Sequence, residues 1–242
     1  MKIAIISDIH ANLAALESFP ERDCDQILCI GDLVDYGPNP KEVLRWVQKH
    51  TTVCVRGNHD HAVGYRTDPH CSVPYHRLAA ATMRYTLDVL SPEECKYLRE
   101  LPIQRELTFD KTKCYLVHAT PTDPLFGYCD AMSDRWENEL DWITADVILV
   151  GHTHMPFVRQ LGTKTIVNPG SIGQPKTDSP EACYAVWEDG MVTLKRYSYS
   201  VEKTVSAILE MPVRSDIRDM LIYALRTGTR TLPIEVIHTR TQ

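Results

Sequence analysis

Seven side chains able to bind a metal ion stand at the ends of short apolar runs in this chain. Asp8 and His10 follow residues 2–7, Asp32 follows 27–30, Asn58 follows 52–55, His118 follows 113–117, and His152 and His154 follow 147–150. A histidine at the end of one apolar run is most often a hydrogen-bonded structural residue. Five runs ending in this way call for a shared purpose. Carboxylate, amide and imidazole donors without a thiolate favour manganese, iron, zinc, cobalt or nickel, and disfavour copper(I) or iron–sulfur clusters. Seven donors are too many for one open catalytic ion. Two ions bridged by Asp32 would use them all and leave positions for water and substrate. Gly31, before Asp32, lets the backbone come close to whatever sits there. His59 adjoins Asn58, points elsewhere and is free to handle a proton.

The elements that must position these groups alternate in kind. Residues 2–7 and 27–30 have the length and apolarity of buried parallel strands, with a short helix through Ala14, Ala15 and Leu16 capped by Asn12 between them. That is a βαβ unit, and in open α/β sheets ligands collect beyond the carboxyl ends of the strands. Side chains two apart in an extended segment point the same way, so Asp8 and His10 can close on one ion, and His152 and His154 repeat the spacing. A helix carrying Val43, Leu44 and Val47 leads to the strand at 52–55. Helices follow at 78–90 and after Ser91, where Ser-Pro-Glu-Glu is a capping box with proline at its first helical position. Strands are expected at 104–109 and 113–117, an amphipathic helix at 133–143, and a strand at 147–150. A hairpin around Gly162 and another across Asp189-Gly190 come next, then helices at 201–209 and 216–225. Residues 61–77 show no clean period and read as a loop over the site, with His61, His70 and His76 solvated. Residues 119–128, rich in turn formers, suit a pocket wall, where Phe126 and Tyr128 either stack on an organic leaving group or only pack the loop. Arg56 either steadies a phosphate or forms a structural ion pair.

Composition narrows the class. The 242 residues are 43% hydrophobic and 24% charged, with no low-complexity linker and no internal repeat. One domain over 1–228 is expected, with 229–242 as a tail to which no fixed structure is assigned. The formal net charge of −6 argues against a broad footprint on nucleic acid or an anionic membrane, while leaving room for a small anionic substrate drawn by a local metal charge. The first apolar run is too short for a signal-peptide core or a membrane span, so a cytoplasmic protein is expected. Eight cysteines occur with no C-x-x-C pair and read as reduced thiols.

The order D-x-H, G-D-x-x-D, G-N-H-D, a single His, and G-H-x-H resembles the calcineurin-like metallophosphoesterase superfamily over residues 3–173. The Asn-Pro-Gly-Ser-Ile-Gly run from 168 is similar to its bacterial and archaeal stand-alone phosphodiesterases. The resemblance implies an α/β (α+β) four-layer α-β-β-α sandwich of two mixed sheets flanked by helices. It implies one ion, manganese favoured, held by Asp8, His10, Asp32 and His154, and a second by Asp32, Asn58, His118 and His152. It also implies that His59, oriented by Asp35, protonates the leaving group while a metal-bridging hydroxide attacks phosphorus in line. The expected activity is hydrolysis of a phosphodiester or phosphomonoester of a small or nucleotide-like substrate. Tyr36 stands where the protein serine/threonine phosphatases carry a phosphate-gripping arginine, which counts against phosphoprotein hydrolysis. A catalytically silent protein-binding scaffold of this fold, like the retromer subunit that lacks the catalytic histidine, and a structure-specific nuclease are the alternatives. The presence of His59 and the lack of a basic stripe count against them.

Overall fold

The computed structural model describes residues 1–232. The expected tail therefore lies mostly outside the described residues. Thr229 to Leu232 are described, and Leu232 is buried against the last helices.

Two five-stranded sheets form the middle of the molecule. In the first, β1 (Lys2–Ile6), β2 (Gln26–Cys29) and β3 (Val53–Cys54) run parallel. Two later strands, β9 (Ala182–Glu188) and β10 (Met191–Tyr197), extend it antiparallel from the free edge of β1. In the second, β5 (Thr112–Val117), β6 (Val147–Leu149) and β8 (Lys164–Asn168) are parallel, with β4 (Gln104–Phe109) and β7 (Phe157–Leu161) as antiparallel edges. Both sheets are mixed, as the resemblance implied.

Strand alternation assigns each apolar side chain to a layer. Ile3, Ile5 and Leu28 of the first sheet pack between the sheets against Leu116, Leu149 and Val167 of the second. The intervening Ala4, Ile6 and Cys29 face outward onto α1 (Leu13–Glu17), α2 (Pro40–His50) and α5 (Pro92–Glu100). On the far side, Tyr115, Val117, Ile148 and Ile166 pack against Trp136 and Leu140 of α6 (Arg135–Leu140), completing the four layers. A further cluster joins α4 (Val73–Val89), α7 (Val201–Leu209) and α8 (Ser215–Thr227) around Tyr36 and Tyr75, closing the flank of the site.

Two expectations are corrected. Residues 61–77 are not one loop: α3 (Asn58–Tyr65) begins at the donor Asn58, and α4 begins at Val73, leaving only 66–72 between helices. Here packing overrides the polar composition, since Ala62 and Val63 are buried and Gly64 lies against Arg99 of α5. The helix expected at 133–143 spans only Arg135–Leu140, although Trp136, Leu140 and Ile143 are buried together as its period required.

Candidate metal centre

All seven donors converge in one cleft at the carboxyl ends of β1, β2, β3, β5 and β6. Asp8, His10, Asp32 and His154 offer ligand atoms within 4.8 Å of one another, and so do Asp32, His118 and His152. Asn58 belongs with the second set: its Oδ1 lies 3.1 Å from His118 Nε2 and 3.0 Å from His152 Nδ1. Asp32 is the member common to both. His152 and His154 therefore divide between the two sets rather than chelating one ion.

The extended backbone assumed for Asp8 and His10 is not what presents them. Asp8, His10, Asp32, Asp35, His152 and His154 all have φ between +45° and +69°. The left-handed region costs a non-glycine residue about 1–3 kcal/mol, and Asp and His are among the types that tolerate it. Hydrogen bonds over-determine the turns: Ile9 and His10 N–H donate to the Asp32 carbonyl at 2.8 and 3.0 Å, and Asp8 N–H donates to the Gly31 carbonyl at 3.0 Å. The Asn-Pro-Gly-Ser run is the brace between the sheets. Ser171 Oγ donates to the Asp8 carbonyl at 2.7 Å, and Asn168 Nδ2 donates to the Gly151 carbonyl at 2.7 Å.

Close approach explains two glycines. A Cβ on Gly57 would lie 2.0 Å from Asp32 Oδ1, and one on Gly31, whose φ is +94°, would lie 2.6 Å from Gly57 N. Asp60, not singled out from the sequence, ties these turns together. Its Oδ2 accepts from the N–H groups of Asp32 at 2.9 Å and Gly57 at 3.0 Å, while Oδ1 accepts from Leu33 N–H at 2.8 Å. The available signal was its place as the third residue after Gly57, where a side chain reaches back to the first free N–H groups of a helix.

Hydrogen bonding on the far side of each imidazole fixes which nitrogen points inward. His10 Nδ1 donates to the Val34 carbonyl at 3.0 Å, and His154 Nδ1 donates to the Gln174 carbonyl at 2.6 Å. Their Nε2 lone pairs then face each other across 3.2 Å, with Asp8 Oδ1 3.4 Å from His154 Nε2 and Asp32 Oδ2 3.7 Å from His10 Nε2. His118 Nδ1 donates to the Ile30 carbonyl at 2.6 Å, which aims its Nε2 at Asp32 Oδ2, 3.2 Å away, and at Asn58 Oδ1. Lone pairs meeting lone pairs in a buried site need a cation between them. Both Asp8 carboxylate oxygens are buried with no hydrogen-bond partner, an arrangement that would be costly for a lone carboxylate. The residues fit a pair of divalent ions.

The electrostatics agree. Burial lowers His10 and His152 to about 3 and holds His154 well below the usual imidazole value, leaving neutral imidazoles suited to coordination. Burial, and then the charge of Asp32, raise Asp8 to about 7, whereas Asp32 stays well below the usual carboxylate range because His118, His59 and His10 outweigh its own burial. His118 is held up at about 10 because Asp32 outweighs the effect of burial, so without a metal it is the group that would carry the proton.

His59 stands apart from both donor sets. Its backbone N–H donates to Asp32 Oδ1 at 2.9 Å, while its Nδ1 pairs with Asp35 Oδ2 at 2.9 Å. Burial disfavours the imidazolium, but Asp32 and Asp35 outweigh it and raise the pKa. The outer wall carries the residues proposed for it and one that was not. A cavity of about 250 Å³ is lined by Asp32, Asn58, His59, Phe126, Tyr128 and Lys176. Arg56 is not on this wall: it bonds the Arg99 carbonyl and lies over the Tyr65 ring, a structural role. The eight cysteines are all unpaired thiols.

Comparison with known proteins agrees with this geometry. Residues 1–189 match the calcineurin-like phosphoesterase superfamily domain. The chain is similar to an uncharacterised protein of Methanocaldococcus jannaschii, 30% identical with 86% of this chain and 92% of that one covered. It is similar to the phosphodiesterase YfcE of Escherichia coli, 25% identical over 80% of this chain and 91% of the other. The crystal structure of a metallophosphoesterase from Sphaerobacter thermophilus superposes with a TM-score of 0.79 at 28% identity, covering 95% of this chain and 99% of that one. A domain match over most of the length, on a fold of two mixed sheets with a buried Asp/His cluster between their ends, leads to one conclusion: the chain belongs to the calcineurin-like phosphoesterase superfamily, metal-dependent hydrolases of phosphoric esters.

Proposed function

We propose that this chain is a dinuclear phosphoesterase that hydrolyses a small phosphodiester, or a phosphomonoester, with a compact organic or nucleotide-like leaving group. Its catalytic unit is residues 1–228. The observation that carries the reading is the pair of buried donor sets sharing Asp32, with the His10 and His154 Nε2 atoms facing each other across 3.2 Å.

Asp8, His10, Asp32 and His154 would hold one ion, and Asp32, Asn58, His118 and His152 the other, with manganese favoured. Such ions supply Lewis acidity to the phosphoryl oxygens and to the attacking water. Backbone carbonyls hold the histidine rings in the required tautomer, and the burial of Asp8 and Asp32 keeps bulk water from competing for their oxygens. His59 holds a proton on the nitrogen facing the cavity because Asp35 stabilises the imidazolium through Nδ1, and it delivers that proton to the departing oxygen. Thr86 Oγ1 donates to the other Asp35 oxygen at 3.3 Å and keeps the carboxylate oriented. A cavity of about 250 Å³ accommodates a phosphoryl group with a ring against Phe126 and Tyr128, and is at the small end for a ligand site.

The test is a panel of chromogenic diesters, monoesters, nucleotides and dinucleoside polyphosphates, assayed with added manganese beside His59→Ala. Hydrolysis by the wild type that the variant loses supports the reading. Equal inertness of both proteins towards every ester sinks it and favours a protein-binding scaffold.

A further inference from the structure

Among the described residues the cavity carries one lysine or arginine, Lys176, which neither the metal sets nor the proton donor uses. Lys176 lies in the loop between β8 and β9, two residues after Gln174, whose carbonyl holds the His154 ring. The loop is fastened on both sides of it: Gln174 N–H donates to Ser171 Oγ at 2.8 Å, and Arg230 Nε donates to the Lys176 carbonyl at 3.2 Å. Its side chain is half-buried, and Nζ stands 4.7 Å from the centre of the Tyr75 ring. The Tyr75 ring lies 6.1 Å from that of Tyr36, which in turn lies 4.8 Å from the His59 ring. Lys176 and His59 thus border the same opening.

Among the described residues no carboxylate lies within 4.0 Å of Nζ, and Nζ donates no hydrogen bond. Other partly buried lysines of the fold have such partners, as Lys195 has Glu21 and Lys164 the Leu140 carbonyl. Among the described residues Asp32 is the only carboxylate lining the cavity, and it belongs to both donor sets. An ammonium partly withdrawn from water, on a loop fastened on both sides and with no carboxylate within 4.0 Å among the described residues, is completed by an external anion. Tyr36, the residue after Asp35, contributes no positive charge to that wall.

We propose that Lys176 is the phosphate anchor of this site, donating from Nζ to a non-bridging oxygen of the substrate's phosphoryl group. The proposal rests on the phosphoesterase reading and adds to it the residue that binds the substrate's charge. Lys176 holds the anion in the ground state and in the transition state alike, so its removal appears in affinity more than in turnover.

The experiment uses manganese-loaded protein and two readouts. Calorimetric titration with inorganic phosphate should show affinity at least about tenfold weaker in Lys176→Ala and nearly restored in Lys176→Arg, with bound manganese unchanged. With bis(p-nitrophenyl) phosphate, KM should rise by a similar factor while kcat stays within about threefold. Lys176→Gln, which keeps the reach of the side chain, carries the same test if the alanine variant is poorly folded. Wild-type phosphate affinity in the alanine or glutamine variant, or a fall in kcat at unchanged KM, overturns the assignment. If the wild type hydrolyses no ester yet binds phosphate through Lys176, the hydrolase reading fails and the anchor stands.

Discussion

Replacing Asp60 by asparagine should loosen both turns that present Asp32 and Asn58. The carboxylate accepts three backbone N–H groups, two at Oδ2 and one at Oδ1, and is fully buried. Asparagine has one acceptor oxygen. In the orientation that keeps more bonds, that oxygen replaces Oδ2 and the amide nitrogen confronts the Leu33 N–H. Two buried donors then lack acceptors, at about 1–3 kcal/mol each, and the two surviving bonds change from a charged to a neutral acceptor. The expected loss is about 3–5 kcal/mol, which for a chain of this size lowers the melting temperature by roughly 6–20 °C. Burial, and then the charge of Asp32, raise Asp60 to about 6, so the comparison belongs at pH 8, where the carboxylate is ionised. Thermal unfolding followed by circular dichroism in chelator separates this loss from metal binding. A metal-free variant melting within about 2 °C of the wild type would refute the idea that Asp60 holds the turns together.

His59→Ala should lower kcat by about a hundredfold or more on esters with basic leaving groups, and less on p-nitrophenyl esters, which need little protonation, with metal content unchanged. Asp35→Asn removes a charge that raises the His59 pKa, so the alkaline limb of the kcat profile should move to lower pH; an unmoved limb would count against the pairing. Glu21 bonds Lys195 at 2.8 Å, Lys2 at 2.7 Å and Tyr184 at 3.0 Å, and these outweigh its burial to lower it to about 2 from 4.5. Because that pKa is depressed, the stabilisation is present above about pH 4.5 and fades as pH falls towards 2; Glu21→Gln should be about 1–3 kcal/mol less stable at pH 7, with the gap closing in acid denaturation curves. Chelation should lower the melting temperature of the wild type, since a ligand at a hundred times its Kd stabilises by about 2.7 kcal/mol, and re-addition of manganese should restore it.

The donors were legible because each follows an apolar run at the carboxyl end of a strand, where nothing but a ligand or a turn calls for Asp, Asn or His. The continuous apolar run at 2–7 likewise marked a buried strand, and in the structure Ile3 and Ile5 face one layer while Ala4 and Ile6 face the other. What the pattern could not carry was the backbone between donors. Asp8 and His10 are two apart, but the left-handed turns, not a strand pleat, aim them, and the same spacing sends His152 and His154 to different sets. Asp60 and Lys176 escaped notice because their roles depend on contacts across the fold: Asp60 on N–H groups 27 and 28 residues away, and Lys176 on a cavity whose walls come from separate loops. The helix at 58–65 was hidden because its exposed and site-facing residues are polar, while Ala62 and Val63 alone give too short an apolar stripe to show a period.

Everything rests on Asp32 serving two ions at once. Elemental analysis of protein loaded with manganese and freed of excess metal tests this directly, with wild type beside Asp32→Ala and His152→Ala. The account predicts two ions per chain in the wild type, fewer than one in Asp32→Ala, and one tightly held ion in His152→Ala, since His152 belongs to a single donor set. A wild type that binds no ion, or an Asp32→Ala variant that still retains two, would contradict it.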